Sequence, residues 1–271
     1  MTGTPHIFLS PHLDDAVLSC GGTLAHLHRN AVPVTVVSIF AGEISNAEPL
    51  SPFAAAMHQF WGAPADVIAL RRAEDRAALA HFGLQPHWLS FKDAIYRGEP
   101  ARGEWFYTEN PELFGAIHPA ERDFPQKIAA ALRDFLHREN LLDTPATFYV
   151  PLAIGNHVDH QLVRQAAKYL IRPGDAVFFY EDYPYVQWNP ADRARALRET
   201  GDLWRATGFH EKIISLTDAD VQTKMDAIAE YRSQLAILFG GEAEMRAQVR
   251  DFTTESGHLA EKFWERENSS Q

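Results

Sequence analysis

The sequence predicts an α/β fold: a mostly parallel sheet with helices on both faces, and long loops of the substrate-binding kind at the carboxyl ends of its strands. Three observations carry this. Short apolar or β-branched runs alternate with amphipathic helical stretches over much of the chain. Two clusters of His and Asp directly follow two of those apolar runs, where open α/β sheets gather their ligands. Two stretches that break the alternation, 41–69 and 93–122, are too long and aperiodic for plain connections.

The elements follow in chain order. Ile7-Phe8-Leu9 reads as a short buried strand. A helix is expected over 15–29 through Leu18, Leu24 and Leu27, and Gly21 and Gly22 inside it imply close backbone approach or a kink. The β-branched run 34–40 is the clearest strand. Ala73, Ala77 and Ala80 align on a helix over 72–81 that Gly83 stops, and 87–91 reads as the next strand. A helix over 126–139 presents Ile128, Leu132, Phe135 and Leu136 on one face. A strand over 147–152, a helix over 161–171 and a strand over 176–180 continue the alternation. Beyond Phe209 the pattern shows a strand at 212–216 and one long helix over 218–238. No repeat and no convincing linker divides the chain, so 1–271 is expected to form a single domain.

Composition narrows the partners. A formal net charge of -11 argues against binding nucleic acid by phosphate neutralisation. Cys20 is the only cysteine, so no intrachain disulfide framework exists, which is consistent with a reducing compartment. Residues 1–6 show neither the cationic nor the apolar region of a signal peptide, and no apolar run approaches the ~20 residues that span a bilayer. A cytoplasmic protein acting on a small molecule is the expectation; oligomeric state is not readable.

The first cluster is His12-Leu13-Asp14-Asp15, at a strand-to-helix turn. The second is His157-Val158-Asp159-His160, after the run 148–152. Zinc in hydrolytic sites commonly keeps three protein ligands and an open position, and His12, Asp15 and one more imidazole meet that count. His157 and His160, three apart at a helix start, both offer the imidazole. With His160 as third ligand, His157 stays nearby to stabilise an oxyanion or protonate a leaving amine. Asp14 could then serve as general base, and Asp159 could orient an imidazole from behind. Taken singly, an Asp-Asp pair usually caps a helix and a His-x-x-His pair usually lies on a surface. Two such clusters at two parallel strand ends exceed what capping requires.

Ser10-Pro11-His12-Leu13-Asp14-Asp15 resembles the opening motif of the PIG-L/LmbE-like deacetylases, and Gly155-Asn156-His157-Val158-Asp159-His160 is similar to their second motif, H-x-D-H. Weaker similarities are Arg71-Arg72-Ala73-Glu74 to an R-x-x-E helix, the segment Tyr180 to Tyr185, and Lys224 with Tyr231-Arg232-Ser233-Gln234 to a late K…SQ helix. The resemblance implies a Rossmann-like metal hydrolase, normally zinc-dependent, that removes acetyl from an N-acetylated amino sugar. It implies His12, Asp15 and His160 as metal ligands, Asp14 as base, His157 as oxyanion or acid partner, and Arg71 as a substrate contact. Leu13 stands where many members have Pro. Gly155 stands where some have Tyr, which leaves Tyr180 and Tyr183 as candidates for any catalytic tyrosine.

The resulting expectation is zinc-dependent N-deacetylation of an N-acetylglucosamine-type sugar, glycoconjugate or related metabolite, with another divalent ion able to serve. Alternatives are amide hydrolysis of a thiol-sugar conjugate at the same centre, or a non-catalytic sugar-binding protein. A nucleotide-binding module would carry a glycine-rich phosphate loop in the first turn; His12, Asp14 and Asp15 stand there instead.

Overall fold

The computed structural model describes residues 3–45, 47–62 and 66–267. Strand β1 (His6–Ser10) leads into helix α1 (Asp15–Arg29), then strand β2 (Val34–Ser38) and helices α2 (Pro52–Phe60) and α3 (Val67–Ala80). Strand β3 (His87–Trp88), a hairpin of β4 (Gly98–Glu99) and β5 (Glu104–Trp105), and helices α4 (Asn110–Leu113) and α5 (Phe124–Arg138) follow. Next come β6 (Thr147–Pro151), α6 (Val158–Leu170), β7 (Ala176–Tyr180), α7 (Tyr185–Trp188) and α8 (Asp192–Trp204). The chain ends with β8 (Gly208–Ser215), α9 (Asp218–Ile228), α10 (Arg232–Leu238), α11 (Glu242–Phe252), β9 (Thr254–Glu255) and β10 (His258–Glu267).

The main sheet runs β3-β2-β1-β6-β7-β10-β8, with β9 pairing β10. The first five strands are mutually parallel. Strand β10 is antiparallel to both β7 and β8. Strand order therefore runs outward from β1 to β3 on one side, then jumps back to β6 on the other side of β1. Backbones diverge at such a reversal and leave a crevice at the strand carboxyl ends. The two His/Asp clusters follow β1 and β6, so chain topology alone delivers both to one crevice. Apart from the half-buried His6, the side chains of β1 and β6 are buried, as a sheet covered on both faces demands.

The glycine pair in α1 serves close approach. A Cβ on Gly21 would lie 2.7 Å from Lys224 Cγ, and one on Gly22 would lie 2.4 Å from Leu216 Cδ1. That proximity lets the fully buried Lys224 meet Glu261 at 2.7 Å, while the Glu261 carboxylate also accepts from the backbone N–H of Gly22 and Thr23. Both charges are thus paired and hydrogen-bonded, as burial demands.

Several expectations are corrected. The helix expected over 218–238 is two helices, α9 and α10, because the chain turns at Tyr231. The Tyr231 hydroxyl lies 3.0 Å from Leu13 O and 3.1 Å from Asp75 Oδ1, and Glu74 accepts from Ser233 N and Oγ at the start of α10. The turn thus places Tyr231 against the β1–α1 turn and α3, and Ser233 against α3. The strand expected at 87–91 pairs only over His87–Trp88, with a single bridge from Ser90 to Phe40 beyond it. The stretches 41–69 and 93–122 hold α2, part of α3, the β4–β5 hairpin and α4 rather than loop alone. Strand β10 has no counterpart in the sequence reading: the buried carboxylate of Glu261 interrupts the apolar alternation that would have marked it.

Candidate metal centre

The turn between β1 and α1 is held by its own polar groups. Ser10 Oγ donates to His12 O at 2.6 Å and accepts from Ala16 N at 3.0 Å. His12 N donates to Asp15 Oδ2 at 2.7 Å. These bonds fold the segment back so that His12 and Asp15 face one point, with His12 Nδ1 3.2 Å from Asp15 Oδ2. From the β6 side, His160 in the first turn of α6 places its Nε2 3.4 Å from the same oxygen.

The other nitrogen of each ring decides what that convergence means. His12 Nε2 lies 3.0 Å from Asp159 Oδ2, and His160 Nδ1 lies 2.6 Å from Asp182 Oδ1. Carboxylates accept, so each ring puts its N–H there and turns a lone pair towards Asp15. Two lone pairs and a carboxylate oxygen facing one another, all buried, repel unless a cation lies between them. His160 Nε2 has no hydrogen-bond partner although it is buried. Separations of 3.2 and 3.4 Å match ligands each about 2 Å from a shared tetrahedral ion. The donor set, two imidazoles and one carboxylate backed by Asp159 and Asp182, suits zinc.

The titration of these groups reports the same field. Burial opposes the charge on Asp15, yet His160 and His12 hold its carboxyl well below the usual range. Burial likewise opposes protonation of His12, but Asp15, Asp159 and Asp93 raise its pKa well above the ordinary value. The carboxylates that favour a proton on His12 equally favour a cation where these side chains meet.

Asp14 is buried and lines the cavity beside these groups, with Oδ2 3.4 Å from Arg71 Nη2. Burial raises its pKa against the pull of Arg71, which moves a carboxylate towards the range of an effective base. His157 caps α6: its Nδ1 accepts from Asp159 N at 3.2 Å, so a neutral ring carries its proton on Nε2. Burial, and then the neighbouring His12, push its pKa well below the ordinary value. His12, His157 and Asp159 also lie within mutual reach of one ion. Asp159, however, is already neutralised by Arg97 Nη1 at 2.5 Å and accepts from Ala94 N and His12. Its contact with the centre is the hydrogen bond to His12 Nε2. Arg97 is in turn held by Glu121, which also accepts from Tyr107.

The structure thus brings together all seven residues singled out from the sequence. Arg71 sits in the second turn of α3, buried, with its guanidinium over the Trp61 ring and at the cavity wall. The two candidate tyrosines differ: the Tyr180 hydroxyl is engaged, whereas Tyr183 lines the cavity with its hydroxyl free of any hydrogen-bond partner among the described residues. Tyr180 donates to Leu9 O, and Tyr183 is buried against Phe252. Gly155, at φ +84°, has the Tyr185 ring where its Cβ would stand, 2.8 Å from Cγ, so Tyr185 lines the cavity from α7 instead. Sequence reasoning missed Asp93, Asp182 and Arg97. Asp182 follows β7 and Asp93 follows β3, so the strand-end rule that exposed the first two clusters applied to both. Arg97 left no signal, since only the fold brings it to Asp159.

A family model described as PIG-L: GlcNAc-PI de-N-acetylase matches residues 7–171, which hold β1 to α6 and both clusters. The chain belongs to the PIG-L family. A 2'-N-acetylparomamine deacetylase of Niallia circulans is 31% identical over 98% of this chain and 92% of its own length. A second 2'-N-acetylparomamine deacetylase, of Streptomyces fradiae, is 32% identical over 73% of this chain and 63% of its own length. A crystal structure of the zinc-inhibited form of teicoplanin deacetylase superposes with a TM-score of 0.79 at 28% identity, covering 98% of this chain and 100% of that one. This PIG-L protein is an N-deacetylase. No helix among its described residues is long and apolar enough to cross a membrane.

Proposed function

We propose that the chain removes the N-acetyl group from an N-acetylglucosamine-type sugar, free or within a glycoconjugate or related metabolite, with the following division of labour. His12, Asp15 and His160 hold the divalent metal, for which zinc is the best fit. The observation that carries this is the pair of imidazole lone pairs turned onto Asp15 and fixed from behind by Asp159 and Asp182. Bound there, the ion supplies Lewis acidity and lowers the pKa of water.

The chain's own groups do the rest. Asp14 takes the proton from the attacking water at its carboxylate and returns it to the departing amine. His157, neutral and protonated at Nε2, donates to the carbonyl oxygen as charge builds there. Arg71 keeps Asp14 oriented and presents its remaining N–H groups to the sugar hydroxyls, and Asp93 at the cavity wall accepts from them. An amino sugar in place of a plain amide is supported by the relatives: two are named 2'-N-acetylparomamine deacetylase, and a solved deacetylase of similar fold is in complex with teicoplanin.

We also take residues 1–271 as one domain, whose extreme ends lie outside the described residues; one cluster of buried side chains runs from Ile7 to Phe263 in support. A cytoplasmic site of action fits the single, buried free thiol of Cys20. The test is acetate release from a panel of N-acetylated amino sugars by protein stripped with a chelator and reloaded with zinc. Turnover should vanish on stripping and return on reloading. Turnover that survives complete metal removal would overturn the assignment.

A further inference from the structure

A second cavity lies across the segment that follows β3 from the catalytic one. That segment is a shared wall. Asp93 and Ile95 line the catalytic cavity, whereas Phe91, Lys92, Tyr96 and Arg97 line the second, and the two cavities have no lining residue in common. The second cavity measures about 400 Å³, within the ~300–1,000 Å³ of small-molecule sites. Pro100 in the β4–β5 hairpin, Phe106 just after it, and Phe124 and Lys127 at the start of α5 complete it. At its floor stands the buried ion pair of Arg97 with Glu121. The wall is tied to the metal centre twice. Arg97 Nη1 holds Asp159 Oδ1 at 2.5 Å, and Ala94 N donates to Asp159 Oδ2 at 3.1 Å. That second oxygen also meets His12 Nε2 at 3.0 Å.

We propose that this second cavity is an effector site for a small aromatic carboxylate, and that its occupation tightens the hold of the centre on its metal. The proposal rests on the metal centre assigned above and not on the reaction. The lining selects the ligand. Phe91 and Phe124, edge to face at 5.4 Å, offer with Phe106 the aromatic surface that a planar ring prefers. Arg97 is already stacked over Phe124 and bonded to Glu121 and Asp159, so its charge is engaged within the protein. Lys92, on the rim, is paired with Glu48. Lys127 is exposed and makes no ion pair among the described residues, which leaves its ammonium for a ligand carboxylate. Asp123, the acid of the rim, stands at the N-cap of α5, where the helix dipole offsets its charge. Coupling follows from the shared wall. A ring packed in the cavity restrains the segment 90–98 and keeps Ala94 N and Arg97 on Asp159, which in turn stays on His12. The metal orders His12 from the other side. Two events that order the same groups favour each other, and the benefit is reciprocal.

The test titrates benzoate, indole-3-acetate, benzyl alcohol and phenethylamine by calorimetry into metal-stripped and zinc-loaded protein. Zinc affinity is read in parallel by competition with a chelating dye, with and without each probe. The two acids should bind about 10-fold or more tightly than the alcohol or the amine. They should raise zinc affinity about 5-fold or more, and zinc should tighten their own binding by the same factor. In Lys127→Glu the acids should bind about 10-fold or more weakly, with zinc affinity in their absence unchanged. Position 127 is exposed, so folding is not at stake. An acid that ligates the zinc directly would bind Lys127→Glu as tightly as the wild type, and that result overturns the proposal. So does an amine that binds as well as the acids, a failure of both acids to bind, or a zinc affinity that they leave unchanged. Neither readout involves turnover, so this site and the assigned reaction stand or fall separately.

Discussion

Asp14 and Asp15 are adjacent, chemically identical and both buried, yet the fold gives them opposite surroundings. Asp15 faces two imidazoles that favour its charge; Asp14 faces a cavity that disfavours it, with Arg71 the main opposing influence. Replacing each by Asn separates the two. Asp14→Asn should keep zinc at near-full occupancy and lose about 10²–10⁴ in kcat, the usual scale of a general base. Asp15→Asn should lose the metal itself, read by elemental analysis after dialysis. Equal metal loss in the two would refute the division. Asp182 lay within the segment Tyr180 to Tyr185 but had no role in the sequence reading, and its prediction comes from structure alone. It fixes which nitrogen of His160 is free, so Asp182→Ala should weaken zinc affinity about 10–100-fold while leaving the ligands intact. Competition with a chelating dye would measure this, and unchanged affinity would show that the tautomer is set by something else.

Among the elements, α1 was legible to the residue, because its apolar stripe and the preceding strand agree. Its two glycines would normally be a defect costing up to about 1 kcal/mol each relative to Ala. Here the neighbours decide the sign. Gly22→Ala would drive a methyl group to 2.4 Å from Leu216 Cδ1 and 3.0 Å from the Glu261 carboxylate. The gain in helix propensity is outweighed by overpacking of about 1–3 kcal/mol, so the variant should unfold at lower urea than the wild type. A stabilised variant would mean that the Lys224–Glu261 layer yields easily. The same layer explains why β10 was invisible. A strand recognised by alternation is missed when its inward position carries a carboxylate whose partner lies 37 residues earlier in the chain. Likewise the break between α9 and α10 is written in contacts to Leu13, Glu74 and Asp75, not in a Gly or Pro at the turn.

At the scale of the molecule, Asp75 ties several of these elements together. It accepts from Trp88 Nε1 at 2.6 Å and meets the Tyr231 hydroxyl, which also reaches Leu13 O in the turn that carries Asp14. One phenolic proton cannot serve two acceptors, so a protonated Asp75 completes the network by donating to Tyr231. Burial pushes its pKa up to about 7 from 3.8, against the hydrogen bonds that Trp88 and Tyr231 would donate to its ionised form. An acid whose folded pKa is raised contributes stability in full below about pH 4, and that contribution drains away as pH rises towards 7. Asp75→Asn, which stays neutral, should therefore gain on the wild type by up to about 4 kcal/mol between pH 4 and pH 8. Urea unfolding at both pH values measures it, and a constant difference would show that Asp75 is ionised in the folded protein. What the residues determined unaided was the alternation of strand and helix, and the presence of two His/Asp clusters at strand ends, because both are local patterns of period and adjacency. Only the tertiary structure decided which nitrogens face Asp15, which carboxylates stand behind them, and what lines the cavity. Those depend on β1 and β6 lying side by side and on α2, α4, α7 and α10 converging above them, and distance along a chain carries no record of distance across a fold.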